Sequence, residues 1–212
     1  LKMADVAFSR GTMQFGRGVN ARTISVKKIG KGMFSTAYLG TDGRVYLVTK
    51  DDGGDYAKEI LAMIYDDGDR SPYIPPVKRE GMTNDASVFS MPLYKAPLRK
   101  ADSPKAWAQY RTLMRCWSQA QTVVRKRLGY RERMTYYGYD IMVQTVECAE
   151  VDKDATPGLI RALELLRDAA ANYGSDWSFE FAPRNLATTK GGNLVLLDAL
   201  FSMELVERRR KR

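Results

Sequence analysis

Histidine is absent from the 212 residues of this sequence, and cysteine occurs only twice, as Cys116 and Cys148. The absence of histidine excludes every mechanism that needs an imidazole as a base or as a metal ligand. It also leaves no imidazole to activate a thiolate, so neither cysteine is predicted to be catalytic. The two cysteines lack the short spacing of a metal-binding pair, and we expect both to stay reduced.

Long apolar runs are also missing from the sequence. No run approaches the roughly 18 residues that a membrane-spanning helix needs, and residues 1–4 do not begin the apolar core of a signal peptide. Hydrophobic residues nevertheless make up 44% of the chain, which is enough to bury a core and excludes disordered and fibrous classes. We therefore expect a folded, cytoplasmic protein without a membrane segment.

Positive charge is in excess and is concentrated in two places. The sequence has 34 lysines and arginines against 25 acidic residues, a net charge of +9. Five basic residues form a tail at 208–212, and eight lie between Lys105 and Arg133 with a single acid. The second group has tyrosines nearby, which are Tyr130, Tyr136, Tyr137 and Tyr139. Basic residues beside aromatic ones suit nucleic-acid binding, but such runs are more often solvated surfaces or contacts for acidic partners, which we favour.

The first half of the chain has the pattern of a small antiparallel sheet with one helix. Residues 1–20 are weakly periodic, and we expect an arm or a first irregular strand there. Residues 23–50 form three β-rich runs separated by glycine-containing turns, which predicts a meander. A helix is predicted over 56–65, and a short strand over 88–91.

The second half of the chain has a mostly helical pattern. Ser103 followed by proline is typical of an N-cap, and it predicts a helix that runs to about Leu128. Thr156 followed by proline predicts a second helix, which runs to about Asn172 and has apolar residues at three- and four-residue spacings. The remaining segments are an ambiguous stretch over 130–151 and a predicted β-hairpin with strands over 186–188 and 194–197.

Three features of the first half suit the binding of a ligand that contains phosphate. Gly30-x-Gly32-x-Phe34 lies between two predicted strands, where glycines let backbone N–H groups approach a polyphosphate. Lys50 ends the third strand and Glu59 lies on the following helix, where the two can form an ion pair that directs the ammonium group toward phosphate oxygens. A structural turn, a solvated lysine and an exposed glutamate also explain these residues one by one.

A second group of polar residues lies near the end of the sequence. Asn185 follows Glu180 by five residues, and Asp198 follows Asn185 by thirteen, at the end of an apolar strand. A carboxylate at Glu180 suits a base or an orienting group for an attacking hydroxyl. Asn185 and Asp198 can bring oxygen ligands to Mg²⁺ across a β-hairpin. A capped turn and a strand-end aspartate explain the same residues without any chemistry.

Together these residues resemble the protein-kinase-like fold. Gly30-x-Gly32-x-Phe34 is similar to its glycine-rich loop, Lys50 to its third-strand lysine and Glu59 to its helix-C glutamate. Residues 178–185 resemble its catalytic loop, and Asp198-Ala199-Leu200 resembles its metal-binding Asp-Phe-Gly. Within the family, the glycine-rich stretch and the short chain resemble the small early serine/threonine kinases of podoviral bacteriophages, which are thought to modify host proteins during takeover.

The resemblance implies a minimal two-lobed α+β fold that covers about residues 24–201. After the arm at 1–20, an antiparallel sheet with one helix would form the N-lobe at 21–94. A mostly helical, truncated C-lobe would follow at 95–207, and the basic tail would occupy 208–212.

The resemblance also implies ATP-dependent phosphorylation of serine or threonine in a host protein, with ATP and Mg²⁺ as cofactors. The implied metal ligands are Asn185 and Asp198. The implied catalytic residues are Glu180, Lys50, Asn185 and Asp198. The implied nucleotide-binding residues are Gly30, Gly32, Phe34, Lys50, Glu59 and, from its position before the hinge, Met91.

Several positions depart from the family pattern. Glu180 stands where the family has its catalytic aspartate, and a displacement of about 1 Å can lower a rate on the order of 100-fold. Ala182 stands in place of the phosphate-contacting lysine, although Arg184 can supply that charge, and Leu200 stands in place of a glycine. The chain ends 14 residues after Asp198, so we expect no activation segment. These departures favour an alternative function, a weak or inactive pseudokinase that binds and inhibits a host protein.

Overall fold

A computed structural model describes residues 5–17, 21–32, 35–50, 56–128, 137–174 and 176–202. The chain divides into two compact units. Unit 1 comprises Leu1–Asp66 and Pro76–Leu93, and unit 2 comprises Asp67–Pro75 and Tyr94–Arg212. Helices and strands are both present, which confirms the predicted mixed α+β class. The sequence features that lie outside the described residues are Phe34, Tyr130, Arg131, Arg133, Tyr136 and the basic tail at 208–212.

In the described residues, unit 1 is a seven-stranded antiparallel sheet with one helix. Its elements are β1 (Val6–Ser9), β2 (Thr12–Phe15), β3 (Arg22–Lys31), β4 (Ser35–Gly40), β5 (Arg44–Lys50), α1 (Ala57–Asp66), β6 (Lys78–Met82) and β7 (Ala86–Pro92). The strands are ordered β1-β2-β3-β4-β5-β7-β6 in the sheet. The meander predicted over 23–50 is confirmed as β3, β4 and β5. The helix predicted over 56–65 is confirmed as α1, and the strand over 88–91 lies within β7.

Within the stretch 1–20, where an arm or a first irregular strand was predicted, the described residues form a β1–β2 hairpin. β2 pairs with β3, so the hairpin extends the sheet. Its turn contains Arg10 and Gly11 at φ of 28° and 84°, and two positive φ values are typical of tight hairpin turns. The Phe15 ring lies 5.4 Å from the ring of Tyr46, within a core cluster that also includes Val6 and Met13 of the hairpin. Burial against distant residues therefore stabilises two strands of only four residues each.

Tyr46 is fully buried in the core of unit 1. Its hydroxyl donates a hydrogen bond of 2.6 Å to Oδ2 of Asp42, and burial together with this bond raises the pKa of the phenol. Gly40 lies directly against the pair. A Cβ at Gly40 would lie 2.6 Å from Oδ1 of Asp42 and 2.8 Å from Cε2 of Tyr46, so the packing requires a glycine there.

In its described residues, unit 2 has three helices and two small two-stranded sheets. Its elements are α2 (Pro104–Leu128), α3 (Gly138–Val151), α4 (Pro157–Ala171), β8 (Trp177–Phe179), β9 (Leu186–Thr188), β10 (Leu194–Leu196) and β11 (Leu200–Ser202). A single 3₁₀ turn, Pro183–Asn185, precedes β9. No helix in the described part of the chain is long and apolar enough to cross a membrane.

The starts of α2 and α4 confirm the N-cap predicted at Ser103 and the helix start predicted at Thr156. The hydroxyl of Ser103 accepts a 3.0 Å hydrogen bond from the backbone N–H of Ala106, and the hydroxyl of Thr156 accepts one of 3.2 Å from Leu159. Each bond satisfies a backbone donor that has no partner inside its helix. α2 ends at Leu128 as predicted, and α4 ends at Ala171.

The stretch predicted as ambiguous, 130–151, contains α3, whose first residue lies very close to β8. A Cβ at Gly138 would lie 2.6 Å from the backbone oxygen of Trp177 and 2.9 Å from Cβ of Ser178. The close packing of helix on strand therefore depends on the missing side chain of Gly138. Because β8 leads into residues 180–185, this contact also positions the loop that follows.

Candidate functional site

Residues 177–202 of unit 2 form a closed arrangement of two strand pairs. β8 pairs with β11, with Phe179 opposite Leu200, and β9 pairs with β10, with Leu186 opposite Leu196. The second pair confirms the hairpin predicted over 186–188 and 194–197. The loop at 180–185 therefore follows β8 and precedes β9. The partners of these strands, β11 and β10, lie on either side of Asp198 in the sequence.

Two backbone hydrogen bonds join the loop at 180–185 to the segment that contains Asp198. The N–H of Glu180 donates to the oxygen of Ala199 at 2.9 Å, and the N–H of Asp198 donates to the oxygen of Asn185 at 3.0 Å. These bonds bring Glu180, Asn185 and Asp198 into one small region, although thirteen residues separate the last two in sequence. The structure thus assembles three of the site residues that were predicted in the second half of the chain.

Packing of aromatic rings supports the same loop. Phe181 is 1% exposed, and its ring stacks on that of Phe179 at 5.0 Å and meets the edge of Trp117 at 5.8 Å. The N–H of Leu98 donates to the oxygen of Pro183 at 3.1 Å, so the 3₁₀ turn is also held. Sequence reasoning did not predict that Phe181 and Trp117 support this loop. The available signal was Phe181 itself, a bulky apolar residue between the charged Glu180 and Arg184.

The carboxylate of Glu180 forms an ion pair with the guanidinium of Arg184. The Glu180 side chain is 34% exposed and that of Arg184 is 73% exposed. Ion pairs that are this accessible to water contribute roughly 0–1 kcal/mol, so a competing ligand opens them readily. The pair places one negative and one positive group on the loop that carries Asn185.

Asn185 and Asp198 are the predicted ligands of Mg²⁺. Asp198 is exposed and Asn185 is half-buried, and both offer side-chain oxygen donors. Mg²⁺ is commonly held by one or two carboxylates, with water and phosphate oxygens in the other positions. No cluster of three or more acidic, cysteine or histidine side chains occurs in the described residues, so a site made by protein ligands alone is not found there.

The two glycines of the predicted phosphate-binding loop lie at the end of β3 in unit 1. Gly30 lies opposite Ala37 after a bulge in β3, and the N–H of Gly32 donates to the oxygen of Ser35 at 2.8 Å. Among the described residues, a Cβ at either glycine would approach no atom closer than 3.7 Å, and neither glycine has a positive φ. The packing of the described residues therefore does not require glycine at these two positions, in contrast to Gly40.

Lys50 and Met91 lie on neighbouring strands of the same sheet. Lys50 is the exposed last residue of β5, opposite Ala86 of β7. Met91 is buried in β7, opposite Val45 of β5. Along β5, Lys50 follows Tyr46 and Val48 on one face, because alternate residues of a strand point to the same side.

The predicted ion pair between Lys50 and Glu59 is not formed. Both residues are described, and the carboxylate of Glu59 pairs instead with the guanidinium of Arg79 on β6. The physical reason is the position of α1, which packs on β6 and thereby brings Glu59 to Arg79. Sequence reasoning missed this partner because twenty residues separate the two and no local pattern links them.

Cys116 and Cys148 are buried thiols of unit 2. Burial raises the pKa of Cys116 to about 11 and also raises that of Cys148. Since the thiolate is the reactive form, both side chains remain protonated and unreactive near neutral pH.

Comparison with known proteins gives no matching family model and no matching curated protein. The function must therefore be argued from the residues and their geometry.

Proposed function

We propose that this protein transfers the γ-phosphoryl group of ATP to a serine or threonine hydroxyl of a host protein, as a minimal two-lobed member of the protein-kinase-like fold. The observation that carries the proposal is the pair of backbone hydrogen bonds that bring Glu180, Asn185 and Asp198 together. The resemblance in sequence predicts the same three residues. Phosphoryl transfer needs mostly positioning and charge neutralisation, which a small, rigidly held group supplies.

In this proposal each group has a defined role. The acceptor oxygen forms a bond to the γ-phosphorus, the bond from that phosphorus to ADP breaks, and the hydroxyl proton passes to the carboxylate of Glu180. Asn185 and Asp198 would hold Mg²⁺, which neutralises phosphate charge when it is bound. Lys50 would bind phosphate oxygens, and residues near Met91 would contact adenine.

Gly30 and Gly32 also support the proposal. The packing of the described residues does not need glycine at either position. A ligand that closely approaches the backbone would explain why both residues are glycine. Gly32→Ala should leave the free energy of unfolding within about 0.5 kcal/mol of the wild-type value. It should at the same time weaken ATP binding, measured by titration calorimetry. Equal ATP affinity in both proteins would contradict this role of the glycine.

The direct test is phosphorylation of proteins in a bacterial lysate. The purified protein with Mg²⁺ and γ-labelled ATP should label lysate proteins, and Asp198→Ala should abolish most of that label. Asp168→Ala is the matched control, because Asp168 is an exposed aspartate on α4 whose carboxylate pairs with Arg167. Labelling that is the same with Asp198→Ala as with wild type would refute the proposal.

The ion pair between Glu180 and Arg184 favours a second function, a pseudokinase that binds and inhibits a host protein. A carboxylate occupied by Arg184 is less available to an acceptor hydroxyl. Thermal shift separates the two functions, since a nucleotide at 100 times its Kd stabilises the folded state by about 2.7 kcal/mol. Absence of both labelling and a thermal shift at saturating ATP and Mg²⁺ would favour the pseudokinase.

A further inference from the structure

Two neighbouring helices of unit 2, α2 and α3, carry opposite charges. α2 has six basic and no acidic residues, whereas α3 has three acidic and no basic residues. The helices pack side by side and run antiparallel, because Arg127 pairs with Asp140 at one end and Arg115 pairs with Asp152, just after α3, at the other. Their common outer surface, the α2–α3 face, therefore has a basic side and an acidic side.

A groove lies between the two helices on this face. Its cavity of about 460 Å³ is lined by Ser118, Gln119, Thr122 and Val123 of α2 together with Cys148 of α3. An adjoining cavity of about 570 Å³ reaches Val151 at the end of α3.

Two exposed apolar side chains border this groove. Val151 is 85% exposed and Val123 is 41% exposed. Single exposed apolar residues are common, but two that border one groove mark a surface suited to a protein contact.

The charges on this face argue against a nucleic acid as its ligand. Two of the six cations of α2, Arg115 and Arg127, are already neutralised by aspartates. The exposed Glu147 and Glu150 on α3 would repel phosphates laid across the groove. A fitting ligand must present acidic groups to α2 and basic groups to α3.

We infer that this ligand is a second copy of the same chain. A two-fold rotation about an axis along the groove lays α2 of each copy over α3 of the other. Each basic side then meets an acidic side, and each copy's Val151 is covered by the partner's helices. A surface that is complementary to itself in this way is what a two-fold dimer requires.

The size of the face predicts a weak dimer. A 14-residue helix such as α3 is about 21 Å long, and two helices side by side are about 20 Å wide, so the face covers roughly 400 Å² per copy. The total of roughly 800 Å² is below the ~1,000 Å² of most stable interfaces. The dimer should therefore form reversibly as the concentration rises.

Sedimentation velocity of the full chain over a wide concentration range is the first test. The apparent mass should rise from that of one chain toward that of two. Val151→Lys should keep the protein monomeric throughout, because it replaces an apolar contact by a charge of the same sign as the partner's α2. Ile29→Lys is the matched control, because Ile29 is an exposed apolar residue of unit 1, 48% exposed, that does not belong to this face, and this variant should associate as wild type does. A wild-type protein that stays monomeric, or a Val151→Lys variant that associates normally, would overturn the inference.

A charge exchange tests the arrangement of the helices. One variant carries Arg111→Glu and Lys126→Glu on α2, and the other carries Glu147→Lys and Glu150→Lys on α3. All four positions are exposed, so circular dichroism should show folded proteins. Each variant alone should be monomeric because like charges face each other, and an equimolar mixture should recover the dimer. A mixture that stays monomeric while the wild type associates would refute this arrangement. Salt-dependent binding of RNA by a wild type that stays monomeric would identify the face as a nucleic-acid surface instead.

Discussion

Replacing Gly138 by alanine tests the close packing of α3 on β8, on which the loop with Glu180 depends. The new Cβ would lie 2.6 Å from the backbone oxygen of Trp177 and 2.9 Å from Cβ of Ser178. Neither atom belongs to the end of a flexible side chain that rotates away. The helix and the strand must therefore move apart, or the local backbone must distort.

Two opposing contributions determine the change in stability. Overpacking of a well-packed contact costs about 1–3 kcal/mol. Alanine is intrinsically better than glycine inside a helix by at most about 1 kcal/mol, and by less at the first helical residue. Overpacking is the larger contribution, so the free energy of unfolding should fall by about 1–2 kcal/mol.

Urea unfolding followed by tryptophan fluorescence measures this change directly, since Trp177 lies at the contact. The midpoint for Gly138→Ala should be clearly lower than for wild type. Gly191→Ala is the matched control, because its Cβ would have no neighbour closer than 3.8 Å and its φ is not positive. A Gly138→Ala midpoint equal to or above the wild-type value would refute the packing argument.

The same variant connects packing with the proposed activity. A shift of β8 moves Glu180, and a displacement of about 1 Å in a reacting group can lower a rate on the order of 100-fold. At a temperature where both proteins are folded, Gly138→Ala should therefore label lysate proteins much more weakly than Gly191→Ala. Equal labelling would show that the loop keeps its position without the close contact.

Two further predictions concern stability in each unit. Gly40→Ala places a Cβ against Asp42 and Tyr46, so the free energy of unfolding should fall by about 1–3 kcal/mol in urea titrations, and an unchanged value would contradict the packing. Asp152→Asn weakens the two hydrogen bonds that Arg115 donates to this side chain. Those bonds lower the pKa of the Asp152 carboxyl from 3.8 to about 2. The substitution should destabilise the protein by about 1 kcal/mol at neutral pH, a small loss because Arg115 is partly exposed to water. The wild-type advantage is complete above the unfolded pKa, should shrink as the pH falls from about 4 to about 2, and should be lost below the folded pKa; an advantage that is undiminished at pH 2 would contradict this origin.

Elements with local signals were predictable from the sequence. The caps at Ser103 and Thr156 are interactions within three residues, so a short pattern is enough to identify them. The β9–β10 hairpin was predictable for a similar reason, because its strands are apolar and its turn contains Gly192 at a φ of 75°. In each case the stabilising contact lies within the segment that displays the pattern.

Elements without local signals were not predictable. β1 and β2 are four residues long, and they are strands because Phe15 packs on Tyr46, thirty-one residues later. α3 was ambiguous because its first residue, Gly138, is explained only by the backbone of β8. Glu59 looked like a partner for Lys50, but the packing of α1 on β6 gives it Arg79.

The candidate site shows the same division between sequence and tertiary structure. The sequence by itself determined which chemistry is available: no imidazole, a concentration of basic residues between Lys105 and Arg133, and Glu180, Asn185 and Asp198 at defined spacings. Only the tertiary structure decided which of these groups meet. The register of β8 with β11 and of β9 with β10 brings Asn185 to Asp198, and loop geometry pairs Glu180 with Arg184. Composition and spacing are properties of the chain, whereas register depends on hydrogen bonds between segments far apart in sequence.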